Sequence, residues 1–513
     1  MRRREFLKLL PGLATVPGLA GVAAAQEGGA DDIAAADFGL NLGTVAYWGS
    51  ELPFLNLGYT ASIWRLQEIG GPFRWDLPLP SASPEGYPLT VPDGTYIESF
   101  FVFTPHRNSL PDRLVVSYSG EGTIEYVAGA ELVDRSGGRD TLRDLKNGGP
   151  IIARLMSTSV RNPLRDVRIT YGDYPEGELF RPEFLERLSG LSVLRFMDWM
   201  WTNNSKVVTW DDRPRVERFT QTEGGVALEL MVALANRASI APWFTMPHKA
   251  DDDYVRNFAQ YVRDNLDPAL PVWVEYSNEV WNGLFEQFRY AIDEGKRLNL
   301  SSNEYEAGLR FYSQRTSQIL AIWEDVFGDD RERVVGVYAA QAANDWTSEV
   351  ALAWDGASDH ADVLAIAPYF GGSLGDREHA PTVAGWSLDQ LFDALTTEVD
   401  GNNRQFIQKQ ADLARRFGVR LVAYEGGQHL VGYSGTPHDE VLHGFFASAN
   451  RDPRMGDLYR RHIAHWREAG GSTFAFYNSM GEYSQWGCWG LLENEDDNPD
   501  APKWRAVRDM ISA

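Results

Sequence analysis

PVWVEYSNEVWN, residues 271–282, joins an apolar run to an Asn-Glu pair, Asn278 and Glu279. The run is mostly β-branched or aromatic, which is typical of a strand buried on both faces. A second run of this kind, VRLVAYEGG at residues 419–427, places Glu425 where its apolar part ends. Both carboxylates therefore follow buried strands, and the carboxyl ends of parallel strands meet at one face of a sheet.

Strands of the same kind recur along the rest of the chain, and helical patterns separate most of them. Repeated strand–helix units at this spacing predict a parallel sheet with helices outside it. A further strand near residues 38–43 brings the count to eight, so we predict an α/β fold, a (β/α)8 TIM barrel. One long helical region is predicted over residues 284–327. The other predicted strands are the run from residue 271 that leads to Asn278-Glu279 and those at residues 191–196, 240–246, 334–339, 363–367, 420–424 and 473–477.

Residues 65–172 have a different texture, with short alternating runs between Gly, Pro, Asp and Asn turns. This pattern predicts a small antiparallel β-sandwich. The barrel would then occupy residues 37–64 and 173–513, with the sandwich inserted between its first two strands. The alternative is a separate sandwich domain followed by a barrel.

The N-terminus is predicted to be a targeting signal rather than part of the fold. RREFLK at residues 3–8 has the twin-arginine form, and a modestly apolar stretch and an Ala-Ala-Ala cleavage site follow it. Residues 1–25 are expected to be a twin-arginine signal peptide, and residues 26–36 a short linker. This export route leads to a periplasmic or extracellular location.

The composition restricts the partners that this chain can bind. Its 48 basic and 72 acidic residues give a formal net charge of −24, which argues against nucleic acid or an anionic membrane. Such acidity suits a protein that acts on a neutral polymer. Cys488 is the only cysteine, so no intramolecular disulfide is expected. The sequence leaves the oligomeric state open.

No cofactor and no metal site are predicted. HDEVLH at residues 438–443 has its two histidines five positions apart, which does not give the facing pair that zinc needs on a helix. The acidic stretch at residues 493–498 could hold calcium, but a solvated loop is the default reading. The sequence contains no phosphate-binding loop, no dinucleotide fingerprint and no G-x-S-x-G elbow.

Further polar and aromatic side chains are expected at the mouth of the predicted barrel, where catalytic groups of this fold lie. Two Glu residues at such strand ends are what a retaining glycosidase needs, one as proton donor and the other as nucleophile. The other candidates are Arg195 after the second strand, His248 after the third, Trp281 after the fourth, Tyr369 after the sixth, and Trp486 and Trp489 after the eighth.

Asn278-Glu279 and Glu425, on the fourth and seventh predicted strands, resemble the signature of a clan of (β/α)8 retaining glycoside hydrolases. This is the clan that holds the family 5 cellulases and mannanases. The resemblance implies that Glu279 is the acid/base, that Glu425 is the nucleophile, and that Asn278 binds the sugar 2-hydroxyl. It covers the predicted barrel, and its specific part is the Asn-Glu pair together with the second Glu.

The resemblance also implies a shell around the nucleophile, formed by Arg195, His248 and Tyr369, and a tryptophan of the eighth strand that stacks on a sugar. A guanidinium and a hydroxyl group beside Glu425 would lower the pKa of that carboxyl by stabilising its charged form. Glu275 shares a strand face with Glu279, which makes it a candidate supporting carboxylate.

The expected function is that of an exported retaining β-glycoside hydrolase. Its substrate would be a β-linked glycan of the cellulose, β-glucan or mannan type, cleaved by double displacement. Two alternatives stay open: a transglycosylase that uses the same site, and a non-catalytic carbohydrate-binding protein on a degenerate barrel. We expect the sandwich to buttress the barrel rather than to bind carbohydrate, because the sequence shows no evident aromatic cluster on one sheet face.

Overall fold

The computed structural model describes residues 37–172, 174, 177–433, 439–497 and 499–512. The signal peptide and linker predicted for residues 1–36 lie outside these ranges. The strands are β1 (Phe38–Asn41), β2 (Arg65–Glu68), β3 (Thr95–Val102), β4 (Arg113–Ser119), β5 (Gly122–Ala128), β6 (Ala130–Ser136), β7 (Arg139–Asp144), β8 (Ile151–Thr158), β9 (Arg165–Tyr171), β10 (Val193–Arg195), β11 (Ala241–Met246), β12 (Val272–Tyr276), β13 (Val334–Ala339), β14 (Val363–Ile366), β15 (Arg420–Ala423) and β16 (Phe474–Phe476). The α-helices are α1 (Pro182–Leu188), α2 (Leu228–Ala238), α3 (Asp252–Asn265), α4 (Glu286–Arg297), α5 (Glu304–Phe327), α6 (Asp345–Ala353), α7 (Ala380–Val383), α8 (Leu388–Glu398), α9 (Arg404–Phe417), α10 (Glu440–Arg451), α11 (Pro453–Glu468) and α12 (Pro502–Ser512).

Strands β1 and β10–β16 close into a barrel in which all neighbouring strands are parallel. Each strand pairs with the next one along the chain, and β16 pairs back with β1. Leu40 of β1 lies opposite both Leu194 and Phe476, so the closure is in register on its two sides. Helices connect most of these strands. The predicted (β/α)8 barrel is confirmed.

Apolar side chains pack on both sides of the barrel wall. On the outside, the Phe244 ring of β11 packs against Phe258 of α3 with the centroids 5.0 Å apart. On the inside, Trp243 and Trp273 stack with their centroids also 5.0 Å apart. The barrel is therefore a filled core rather than a pore, and its chemistry is confined to the face where the strands end.

Strands β2–β9 lie along the chain between the first two barrel strands and form two four-stranded antiparallel sheets. One sheet has the order β2-β3-β8-β5 and the other β6-β7-β4-β9. A shared apolar cluster that includes Ile97, Leu114 and Ile169 lies between them, as in a sandwich. The sequence patterns did not indicate β2, β6 or β7. Strand β6 is exposed at every residue except Ala130, so its sequence lacks the alternation of apolar and polar residues that marks a half-buried strand.

The acidic stretch at residues 493–498 joins the sandwich to the barrel. Glu495 is paired with Arg181 at 3.3 Å and with Arg187 at 3.1 Å, and the side chain of Glu495 is 2% exposed. Asp496 accepts hydrogen bonds from the backbone N–H groups of Asn108 and Ser109, both at 3.0 Å. The described part of this stretch is therefore a set of ion pairs and loop caps rather than a solvated loop.

An aromatic patch lies where the sandwich meets the loop that follows β1. We define it by six side chains, Tyr47, Trp48, Phe73, Trp75, Phe100 and Phe103. The sequence led us to expect no such cluster, and that expectation is wrong. The rings come from separate chain segments, the β1 loop, the β2 loop and β3, so no local pattern could reveal them.

The long helical region predicted over residues 284–327 is two helices, α4 and α5. The chain leaves the helical path at Asn299, which has a left-handed backbone with φ of 56°. It re-enters at Asn303, whose side chain accepts a hydrogen bond from the backbone N–H of Glu306 and caps α5. Among the described helices, none combines the length and apolar character of a membrane-spanning segment.

Candidate active site

Arg195, the last residue of β10, is the centre of a hydrogen-bonded cluster at the carboxyl ends of the barrel strands. Its Nη1 donates to Glu425 Oε1 at 2.8 Å and to Asn41 Oδ1 at 3.2 Å. Its Nε and Nη2 donate to the two carboxylate oxygens of Glu275, both at 3.0 Å, and Nη2 also donates to Asn278 Oδ1 at 2.9 Å. The guanidinium is fully buried, and its bonds hold side chains at the ends of three other barrel strands, β1, β12 and β15.

Glu425 lies two residues beyond the end of β15, and both of its carboxylate oxygens are held. Arg195 donates to Oε1, and the Tyr369 hydroxyl donates to Oε2 at 2.9 Å. Burial raises the pKa of Glu425 to about 8, and the nearby charges of Glu279 and Asp198 act in the same direction. The two donors do favour the charged form, as expected from the sequence, but burial outweighs them.

Glu279 faces the cluster from the loop after β12. Its Oε1 accepts a hydrogen bond from the Tyr424 hydroxyl at 3.0 Å, and its Oε2 accepts one from Asn282 Nδ2 at 2.7 Å. Tyr424 directly precedes Glu425, so one strand end contacts both carboxylates. Ser277 and Glu279 have left-handed backbones, with φ of 61° and 43°. Such conformations in residues other than glycine are found mainly where a functional group needs an unusual orientation.

Asn278 is fixed by contacts on both sides of its amide. Its Oδ1 accepts from Arg195, and its Nδ2 donates to Asn203 Oδ1 at 3.0 Å. Gln287 donates both to Asn203 Oδ1 at 2.7 Å and to the Asn278 carbonyl at 2.8 Å. The Asn-Glu segment is therefore held in one orientation by groups from three connecting segments.

Aromatic rings surround the cluster on the side of the eighth barrel strand. The Trp489 ring lies 5.9 Å from Tyr369, 5.0 Å from His429 and 5.8 Å from Tyr477, measured between centroids. The Tyr477 hydroxyl donates to Asp198 Oδ2 at 3.1 Å. Burial raises the pKa of Asp198 to about 6. Together with Glu275, Asp198 thus adds a further carboxyl group near the pair Glu279 and Glu425.

The structure brings most of the predicted site residues together, but not all. Arg195, Asn278, Glu279, Tyr369, Glu425 and Trp489 belong to the cluster described above. Trp486 is 53% exposed and lies outside it, although its carbonyl accepts a hydrogen bond from Trp489 Nε1 at 2.8 Å. Of these two tryptophans, Trp489 is the one that contacts Tyr369, which donates to Glu425.

His248 and Trp281 lie away from the positions expected for groups that bind substrate. His248 is buried against the ring of Tyr290, with centroids 5.4 Å apart, and neither of its ring nitrogens has a hydrogen-bond partner among the described residues. Burial lowers the pKa of His248 to about 4. Trp281 is only 8% exposed and packs against Tyr312 and Tyr424. It supports the tyrosine that contacts Glu279 rather than offering a face to a sugar.

The sequence patterns did not indicate several members of the cluster, among them Asn41, Asn203, Gln287, Tyr424, His429 and Tyr477. Asn41 donates to the carbonyls of Tyr424 at 2.8 Å and Phe476 at 3.2 Å, which links the first, seventh and eighth barrel strands. The signal for Asn41, Tyr424 and Tyr477 was available, because each lies at or just after the end of a predicted strand. Asn203 lies in a long loop, and nothing in its sequence context distinguishes it.

The cluster can perform acid–base and nucleophilic chemistry with carboxyl groups. Glu425 is oriented by two donors, and Glu279 is held by two others, with Arg195 between their supporting residues. The described residues contain no group of three or more His, Cys, Asp or Glu side chains that could hold a metal ion. The groups that the described site offers for chemistry are thus carboxyl, hydroxyl and amide groups around one guanidinium.

No protein-family model matches this chain, and no curated protein matches it either. Among solved structures, the GH51 arabinofuranosidase from Xanthomonas axonopodis pv. citri is 12% identical with a TM-score of 0.41, and the match covers 63% of this chain and 64% of that one. The Ignisphaera aggregans GH53 catalytic domain is 13% identical, with a TM-score of 0.35 and coverage of 65% and 90%. The GH5-4 broad-specificity endoglucanase from Clostridium acetobutylicum is 11% identical, with a TM-score of 0.34 and coverage of 64% and 88%. The match thus spans less than two thirds of the arabinofuranosidase. Because all three TM-scores are below 0.5, the assignment of the barrel fold rests on the strand order given above.

Proposed function

We propose that this protein is a retaining β-glycoside hydrolase in which Glu425 is the nucleophile and Glu279 the general acid/base. The observation that carries the proposal is the bonding of Arg195, which holds Glu425 through Nη1 and Asn278, the neighbour of Glu279, through Nη2. One rigid, buried group thus positions both carboxylate-bearing segments. Fixed carboxyl pairs at the mouth of a barrel are the machinery of double displacement.

In the first step, ionised Glu425 attacks the anomeric carbon of the sugar. A bond forms between a Glu425 oxygen and that carbon as the bond to the glycosidic oxygen breaks. Glu279 gives its proton to the leaving oxygen, so that the departing sugar leaves as an alcohol. Arg195 and the Tyr369 hydroxyl keep the Glu425 carboxylate oriented towards the carbon.

In the second step, water replaces the sugar that has left. Glu279, now ionised, takes a proton from the water, and the water oxygen attacks the anomeric carbon from the side the leaving group occupied. The bond to Glu425 breaks, and its carboxylate returns to Arg195 and Tyr369. Two inversions at one carbon give net retention, which is the stereochemical signature of this proposal.

The proposed substrate is a neutral β-linked glycan of the cellulose, β-glucan or mannan type. The formal net charge of −24 disfavours a polyanionic chain. Arg195 offers no charge to an acidic sugar, because Glu275 and Glu425 already pair with it. The choice of these glycans follows the resemblance of Asn278-Glu279 and Glu425 to the signature of the clan that holds family 5. We also propose that the protein is exported by the twin-arginine route.

The experiment that tests the proposal is release of reducing ends from a panel of β-glucans, mannans, xylans and galactans, with Glu279→Gln measured in parallel. We expect the wild type to hydrolyse at least one glycan and the variant to lose that activity while folding normally. Glu304→Gln, a surface pair member on α5, is the matched control and should keep full activity. Hydrolysis that survives Glu279→Gln would refute the assignment.

Product analysis separates the alternatives at this site. Retention of anomeric configuration, followed by NMR of the fresh product, is expected for hydrolysis through Glu425. Longer glycans formed from acceptor sugars would instead identify a transglycosylase. Binding of glycans without any turnover would indicate a non-catalytic binding protein, and it would overturn the proposed hydrolase.

A further inference from the structure

We propose that the aromatic patch is a second carbohydrate-binding surface, which holds the part of a neutral β-glycan chain that extends beyond the barrel mouth. This inference rests on the proposed glycosidase function. It assigns to the sandwich a role in holding polymeric substrate, in place of the buttress expected from the sequence.

The patch presents several large rings to solvent. Trp48 is 61% exposed, Trp75 52%, Phe73 42% and Phe103 37%. Tyr47, Trp75 and Phe100 are nearly parallel, with interplanar angles of 17–28°. Sugar rings present C–H groups on their faces, and exposed aromatic rings are the side chains that pack on such faces with large buried area and little loss of conformational entropy.

The patch is close to the candidate active site along the chain. Tyr47 and Trp48 lie on the loop after β1, and β1 ends at Asn41, which bonds to Arg195. Five residues lie between Asn41 and Tyr47, so their Cα atoms are at most about 20 Å apart. A polysaccharide chain of a few sugars spans such a distance, and it can therefore occupy the cleft and the patch together.

The sandwich also contacts the loop after β16 close to this surface. His106, three residues after Phe103, pairs with Glu482 at 3.4 Å. The same β16 loop carries Trp486 and Trp489, and Trp489 packs against Tyr369, which donates to Glu425. The patch is therefore on the rim beside the first and eighth barrel strands, where a glycan leaving the site on that side would meet it.

A neutral glycan fits the patch better than a second copy of this chain. The four exposed rings offer on the order of 400 Å² of surface, whereas a stable dimer buries about 800 Å² per partner. Arg65 lies over the patch, with its guanidinium 5.1 Å from the Trp75 ring centroid and 5.8 Å from that of Tyr47. Arg74, between Phe73 and Trp75 in the sequence, is paired with Asp76 at 2.7 Å. One ring-bound and one neutralised cation in an acidic protein do not suit a polyanion.

The test is the double variant Trp48→Ala/Trp75→Ala, in which both replaced side chains are more than half exposed. We expect its kcat/KM on soluble β-glucan or galactomannan to fall about tenfold, equivalent to the loss of roughly 1.4 kcal/mol. Its kcat/KM on a short aryl oligoglycoside that fills only the cleft should stay within about twofold. Val133→Ala, an exposed apolar truncation on β6, is the matched control and should change neither value.

Equal losses on long and short substrates, or no loss on the polymer, would overturn the inference. A change of oligomeric state on size-exclusion chromatography, with unchanged polymer hydrolysis, would show that the patch binds a second copy instead. Binding without turnover is tested with the Glu279→Gln protein in native gels. The gels contain β-glucan or galactomannan, and polygalacturonate serves as the polyanion for comparison. If the neutral glycans retard this protein and the added Trp48→Ala/Trp75→Ala change abolishes the retardation, the patch binds glycan. This result would hold even if the wild type hydrolyses no glycan, so the binding proposal and the hydrolase proposal can fail independently.

Discussion

Arg195 carries one positive charge and contacts two carboxyl groups, Glu275 and Glu425, away from water. Two buried negative charges against one positive charge favour the retention of a proton. Burial raises the pKa of both carboxyls, and that of Glu425 reaches about 8. At neutral pH the resting cluster therefore tends to hold a proton, and Glu425 becomes a nucleophile as the pH rises.

Tyr369→Phe tests how Glu425 is kept ionised. The hydroxyl donates to Glu425 Oε2, so its removal should raise the pKa of Glu425 further and shift the acid limb of kcat/KM to higher pH. We also expect kcat/KM near neutral pH to fall about 10²-fold. The measurement is a pH–rate profile on the most active glycan. Tyr96→Phe on β3 is the control, and an acid limb that does not move in Tyr369→Phe would contradict the assignment.

Arg195→Lys tests whether the guanidinium also supports the fold. An ammonium group cannot make the bidentate contact with Glu275 and still reach Glu425 and Asn278, so buried partners would be left unpaired. We expect a loss of about 3–5 kcal/mol of unfolding free energy in urea, together with loss of activity. Arg256→Lys, in a surface pair with Asp325, should cost less than about 0.5 kcal/mol. A loss below about 1 kcal/mol in Arg195→Lys would show that this cluster does not stabilise the fold.

At the scale of elements, the barrel could be predicted because each of its strands is buried on both faces and forms an apolar run. Strand β12 is buried throughout and lies within the predicted run, although it ends at Tyr276, before the Asn-Glu pair that the prediction placed at the strand end. Strand β6 was missed because most of its side chains are exposed to water, so its sequence has no apolar pattern that indicates a strand paired with β7. The break between α4 and α5 was also missed, since it depends on a single left-handed residue, Asn299.

The candidate site was predictable where a residue type and a strand end coincide. Arg195, Glu279 and Glu425 meet that condition, and the structure gathers them. The orientation of Trp281 depends on packing against two tyrosines far away in sequence, and strand counting cannot supply this information. The aromatic patch is of the same kind, since its rings come from three segments of the chain.

The loop that joins the barrel to the sandwich allows a test at this scale. Glu495 accepts a hydrogen bond from the Leu52 backbone N–H at 2.9 Å and pairs with Arg181 and Arg187. Glu495→Gln should cost about 3 kcal/mol of unfolding free energy, because Arg181 and Arg187 would each lose their shared buried carboxylate and keep only Glu183 and Glu51 as charged partners. Glu131→Gln, in an exposed pair with Arg143, is the control with little expected change. An unchanged urea midpoint in Glu495→Gln would contradict this role.

The same loop predicts no response to chelation. Glu495 and Asp496 already have arginine and backbone N–H partners, which calcium would have to displace in order to bind. We expect the thermal midpoint of the protein to be equal in EDTA and in millimolar Ca²⁺. Stabilisation by Ca²⁺ that Asp496→Asn removes would instead establish a calcium site.

On the scale of the whole molecule, an acidic surface encloses a core that contains titratable groups. The formal net charge is −24, while His462 of α11 is 1% exposed and lies between the rings of Phe370 and Phe474. The surface carboxylates and this histidine respond to acid differently. Protonation of the surface relieves repulsion, whereas protonation of the buried ring places an unpaired charge in the core.

His462 should therefore make the whole fold sensitive to acid. Burial lowers the pKa of His462 from 6.5 to about 3, so the folded protein binds fewer protons than the unfolded chain between these values. Stability is then lost as the pH falls below 6.5, and the loss is complete near pH 3. In His462→Phe the contribution of this ring should disappear while that of His248 remains, so the free energy of unfolding in urea should fall less steeply between pH 6.5 and pH 4 than in the wild type. Any overpacking by the larger ring lowers stability equally at each pH and leaves the slope of unfolding free energy against pH unaffected.

His379→Gln, at a surface histidine that is 52% exposed, is the control and should keep the wild-type slope. Equal slopes in wild type and His462→Phe would show that His462 does not couple protonation to unfolding.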